Sequence, residues 1–188
     1  MFLKIKTIKL LIAAFVVVLP LYSNDFAQRS WLDQTSLSNW NSSSRITRIE
    51  RISRAELRRC ANEVRTPSLV ADSLLINNGW TLLGDPTEVN GDTVVVSVAG
   101  GFDANCRPLK FQTFVFVGSR LAGTLSPTLM DSRTDGVLTD VDLTSATTLT
   151  AEYARYRAND PLCCPWRKQE VDFVIRQEGG NFLLTPRN

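Results

Sequence analysis

Histidine is absent from this chain of 188 residues, and that gap removes the commonest general base, the Ser-His-Asp triad and most catalytic zinc sites. No serine lies in a Gly-x-Ser-x-Gly or Ser-x-x-Lys context, and no glycine loop of the Walker or dinucleotide type occurs. With only four cysteines and no Cys-x-x-Cys spacing, redox and metal chemistry are both poorly supported. Internal repeats and low-complexity tracts are missing too. These absences favour a protein that binds or supports over one that catalyses, with no cofactor expected.

A large charge imbalance is also lacking. The 21 Lys+Arg exceed the 19 Asp+Glu only slightly, and Lys4, Lys6 and Lys9 lie in residues 1–23. That stretch reads as a secretory signal: a positive start, then an unbroken apolar run from Leu10 to Leu19 before Pro20. The run is short for roughly 30 Å of hydrocarbon; the alternative is a retained N-terminal anchor. Cleavage falls near residue 23 or as late as 27. Without the signal the chain holds 18 basic and 19 acidic residues, so net charge implies no nucleic-acid partner. No cysteine occurs between residues 20 and 30, which excludes a lipid-modified N-terminal cysteine there.

In an exported chain, four cysteines predict two disulfides. Cys163 and Cys164 stand side by side in the Pro-bracketed run Asp160-Pro161-Leu162-Cys163-Cys164-Pro165. A bond between them would close a strained eight-membered ring. The expected pairing is therefore crossed, with Cys60 and Cys106 each tied to one of the adjacent pair and both crossed connectivities open.

Residues 24–59 form a polar lead-in holding Trp31 and Trp40, which are expected to dock. It ends in a three-residue repeat in which Arg45, Arg48, Arg51 and Arg54 alternate with Ile46, Ile49 and Ile52. On a short helix these would make two drifting stripes. Six arginines against two glutamates between Arg45 and Arg59 make the segment locally positive. It is a candidate electrostatic contact for an anionic envelope surface, against the plainer reading of a solvated arm.

Residues 60–188 read as one α+β domain. Thr66 as N-cap, Pro67 at the first turn and Asn78-Gly79 as the stop frame a helix whose Val70, Ala71, Leu74 and Leu75 share a face. From Trp80 onward β-branched runs and tight turns predict an antiparallel meander, with this one main helix packed on it and disulfides stapling it. Phe111–Val117 reads as a central strand. Val171, Phe173 and Ile175 alternate with charges, as a half-buried strand does.

Two acidic groups remain. Asp131, Arg133 and Asp135 lie in a polar loop ending at Gly136, a candidate recognition loop; Arg133 stands where a calcium site would want a ligand. Asp140 and Asp142 share one strand face and are the pair that a carboxylate-dependent hydrolase would use. A thiol–disulfide redox protein using Cys163 and Cys164 is the remaining alternative.

The hairpin Phe114-Val115-Phe116-Val117-Gly118-Ser119-Arg120-Leu121-Ala122-Gly123-Thr124, the Gly79-Trp80 junction after the helix, the Cys106 loop and the double-cysteine loop together resemble the LppP/LprE lipoprotein family of bacterial envelope proteins, over roughly residues 60–176. The resemblance implies an extracytoplasmic domain with no established reaction and no catalytic residue to carry across. Lipoproteins of the family carry a lipidated cysteine, which this chain lacks at that place, so a free periplasmic or secreted form is expected. Its partner would be an unidentified envelope component.

Overall fold

The computed structural model describes residues 30–43 and 45–187, with the backbone alone for 85–87. The expected signal sequence lies outside the described residues.

Ten strands carry the structure: β1 (Thr81–Asn90), β2 (Thr93–Ala99), β3 (Gly101–Phe102), β4 (Pro108–Leu109), β5 (Gln112–Val117), β6 (Arg120–Thr124), β7 (Val137–Ser145), β8 (Thr148–Arg155), β9 (Arg167–Glu178) and β10 (Asn181–Pro186). Two helices precede them, α1 (Arg54–Arg59) and α2 (Val70–Asn77). Every strand pair is antiparallel. One sheet runs β1-β2-β5-β6 and the other β10-β9-β8-β7, and β3 and β4 pair as a separate two-stranded ribbon.

The protein is thus mostly β, a correction to the expected helix-on-sheet α+β class. Sheet packs on sheet: Val95 and Val115 of the first share one core with Leu149, Tyr153, Phe173 and Leu184 of the second. Helix α1 buries no residue, and α2 covers only part of one outer face. There Ala71 and Leu75 meet Trp80, Val96, Val98, Phe114 and Phe116. Strands β2 and β5 are therefore buried on both faces, which is why they read as near-continuous apolar runs.

Helix α2 also starts later than its sequence predicts. Asp72, fully buried, accepts the backbone N–H of Ser68 and Leu69 at 2.8 Å and is clamped by both terminal nitrogens of Arg65. Those bonds fix the first turn at Val70, which is left 71% exposed instead of facing the core. Thr66 and Pro67 lie in the extended chain before it.

The edge strands β6 and β10 lie side by side, as do β1 and β7, so the two sheets meet along both edges as a flattened barrel. Among the described residues no backbone ladder joins them; side chains close the seams. Asn41 Nδ2 donates to the carbonyls of Thr124 and Leu184 at 3.1 and 3.2 Å, while its Oδ1 accepts Thr124 N–H at 2.8 Å. At the opposite seam Glu88 Oε2 accepts Leu143 N–H at 2.6 Å, and Thr93 Oγ1 donates to Ala146 O at 2.6 Å.

Candidate functional site

The lead-in docks through its aromatic and acidic groups. Trp31 meets Tyr153 edge-on at 5.1 Å and Trp40 at 5.2 Å, and Trp40 meets Phe173 at 6.0 Å. Arg155, 4% exposed, reaches Asp33, Asp135 and Gln169 at 2.7–2.8 Å. The hydrogen bond from Arg155 holds the Asp33 carboxyl below its ordinary pKa despite partial desolvation.

The arginine repeat is not helical until its last member, Arg54, which opens α1. Residues 45–53 form a strap outside helix and strand that crosses the turn between α2 and β1. Ile49 N–H donates to Asn78 O at 2.9 Å, and the Trp80 indole donates to Thr47 O at 2.7 Å. Ile46 and Ile49 pack on the outer apolar cluster, and Ile52 enters the main core. A three-residue repeat keeps one face in register only with three residues per turn, as in a polyproline-type chain; Ser53, with φ −65° and ψ 149°, is in that range. In a chain of that form residues three apart lie on one side, about 9 Å from one another. Arg45, Arg48, Arg51 and Arg54 are all exposed, and none makes an ion pair among the described residues.

The recognition loop is divided. Asp131 Oδ1 accepts Lys110 N–H at 2.6 Å, and Asp135 Oδ1 takes Arg155 Nε and Tyr156 N–H at 2.8 Å. One oxygen of each carboxylate is thus engaged by protein donors. Arg133 instead borders a cleft of about 480 Å³ with Arg107, Phe111, Ser132, Leu138 and Tyr156. Arg133, which lines the cleft, has a backbone φ of 63°, and Cys106 and Lys110, next in sequence to the lining residues Arg107 and Phe111, have φ values of 61° and 48°. Non-glycine residues adopt such angles at a cost of about 1 kcal/mol each, a feature common at binding sites.

Asp140 and Asp142 lie on the outer face of the second sheet. They share a shallow depression of about 360 Å³ with Thr150, Glu152 and Glu170. Lys168, 2.7 Å from Glu152, holds that carboxyl below its usual range.

The disulfides are Cys60–Cys106, with Cα atoms 5.2 Å apart, and Cys163–Cys164. Both crossed pairings are overturned. Glu56 Oε1 accepts Phe102 N–H at 2.6 Å, docking α1 against β3 and bringing Cys60 beside Cys106, so the adjacent cysteines are left with each other. Their loop joins β8 to β9. In it Trp166 carries two guanidinium groups on its ring, Arg157 at 4.1 Å and Arg167 at 4.5 Å. Sequence reading passed over this group; its signal was a tryptophan with basic residues immediately after the double cysteine.

Fold and surface define a disulfide-linked protein of two antiparallel sheets, with no helix among the described residues long and apolar enough to cross a membrane. The LppP/LprE lipoprotein family model matches residues 85–178, from within β1 to the end of β9, and the chain belongs to that family. No curated protein and no solved structure showed significant similarity. Membership in a lipoprotein family points to the cell envelope.

Proposed function

We propose that this protein works in the envelope as an exported, non-catalytic binding or structural domain, with the arginine strap as its contact for an anionic envelope component. The observation that carries this reading is the strap itself. Its isoleucines and backbone are fixed to the body while four exposed guanidinium groups have no ion-pair partner among the described residues. A basic segment fixed in this way loses less conformational freedom on binding than a mobile basic tail would. The mature chain is nearly neutral by count, so the attraction is local to this edge. The cleft beside Arg133 is the second surface to examine.

Replacing Arg45, Arg48, Arg51 and Arg54 by glutamine tests the proposal. Each arginine near an anionic surface contributes about 1 kcal/mol, so salt-sensitive association with envelope fractions should fall by orders of magnitude. Unchanged partitioning would discard the electrostatic contact. Peptide mass mapping of the protein recovered from the envelope reports its mature N-terminus and tests export.

A further inference from the structure

Five large hydrophobic side chains stand exposed among the described residues, and two of them, Leu162 and Trp166, share one hairpin end. Leu162 is 59% and Trp166 41% exposed. Between them lie the exposed Cys163–Cys164 disulfide and half-buried Pro165. This is a short apolar surface with little hydrogen-bonding capacity in its side chains.

The loop has internal support. Cys164 N–H donates to Pro161 O at 2.9 Å, Trp166 N–H to Arg155 O at 3.0 Å, and Arg157 N–H to Asp160 Oδ2 at 2.8 Å. The apolar groups are therefore held out, with two arginines at the base of the loop. Stacking on the Trp166 ring positions both guanidinium groups; Arg167 Nη2 donates to Gln169 Oε1 at 3.0 Å, and the remaining N–H groups of Arg167 and those of Arg157 are open to oxyanions. Trp40 and Trp80 donate their indole N–H to protein carbonyls at 3.0 and 2.7 Å. Trp166 has no such acceptor among the described residues. An aromatic group with an open polar edge, beside a protruding leucine and between arginines, has the composition of a bilayer interface contact.

We propose that the end of the β8–β9 hairpin is a membrane-surface contact. Leu162, the disulfide, Pro165 and Trp166 enter the interfacial zone of an anionic phospholipid bilayer, and Arg157 and Arg167 bind its phosphates. Neither the arginine strap nor any N-terminal attachment is needed for this contact. Together the apolar tip and the two charges combine two weak signals, the arrangement that strengthens an otherwise marginal surface contact.

The test is tryptophan emission of the full protein on adding vesicles of equal parts phosphatidylglycerol and phosphatidylcholine. The expected result is a blue shift that is absent from Trp166→Phe, weaker on pure phosphatidylcholine and quenched by brominated lipid. Arg157→Gln and Arg167→Gln should each lower partitioning about fivefold. Leu162→Ser should lower it without changing its salt dependence. Unaltered thermal midpoints in these loop variants would show that folding is intact. No shift on anionic vesicles, or an equal shift with inorganic phosphate alone, would overturn the proposal. Wild-type binding by the loop variants, with loss only in the four-arginine strap variant, would also overturn it and leave the strap reading standing.

Discussion

The side-chain amide of Asn41 occupies the space that a β-carbon on residue 123 would need, so Gly123 is the gap through which Asn41 reaches the seam. The same amide bonds to both edge strands, β6 and β10. Asn41→Ala strips partners from buried backbone groups and should cost about 3 kcal/mol. Gly123→Ala should cost a similar amount by evicting Asn41. In urea unfolding the two losses should be far from additive, because either change opens the same clasp.

Asp72 makes stability sensitive to acid. Burial raises its pKa, but the Arg65 hydrogen bonds and the N–H groups of Ser68 and Leu69 outweigh that and hold it below the ordinary value. A carboxyl with a folded-state pKa below its unfolded value, about 4, contributes stability above that pH. The contribution fades as pH falls through the lowered folded value. Asp72→Asn should therefore be destabilised near neutrality by about 3 kcal/mol. It should also lose part of the wild type's decline below pH 4, as read from unfolding midpoints across pH.

Arg155 ties the lead-in to the second sheet. Arg155→Gln should lower stability by about 2 kcal/mol and expose residues 30–43 to limited proteolysis while the sheets persist. Asp33→Asn should expose the same segment more weakly, since Gln169, still held by Arg155, donates its Nε2 to Leu32 O at 3.1 Å.

The two disulfides should differ sharply in their effect on folding. Cys60–Cys106 spans 46 residues, and a closure of that length restricts the unfolded chain by about 4 kcal/mol in the chain-entropy account. Cys60→Ser with Cys106→Ser should approach that loss. Cys163–Cys164 encloses almost no chain, so its double serine variant should unfold within about 0.5 kcal/mol of wild type. Guanidinium titrations of both variants provide the comparison.

Local pattern carried much of the architecture. The alternation of Val171, Phe173 and Ile175 marked their buried face, and the Asn90-Gly91 and Gly118-Ser119 turns marked two hairpins. What escaped depends on contacts distant in sequence. Nothing near Cys60 shows that Glu56 will dock on Phe102, and nothing near Val70 shows that Arg65 will enclose Asp72. The arginine repeat was visible, but its course along the body is set by the isoleucines finding two apolar clusters. Sheet-on-sheet packing stayed hidden because closure relies on single side chains such as Asn41 and Glu88, not on a repeating pattern. At the candidate surfaces, the strap arginines were legible from their spacing. The Arg157–Trp166–Arg167 stack exists only once β8 and β9 pair.

The Asn41 clasp also sets an order of events. Its two carbonyl partners lie 83 and 143 residues further along the chain, so the lead-in cannot complete its contacts until β10 has been delivered. Contacts so distant in sequence slow folding, because much chain must be ordered before they form. A chain emerging N-terminus first could thus join its sheets along the β1–β7 seam while the β6–β10 seam stayed open until the last strand arrived.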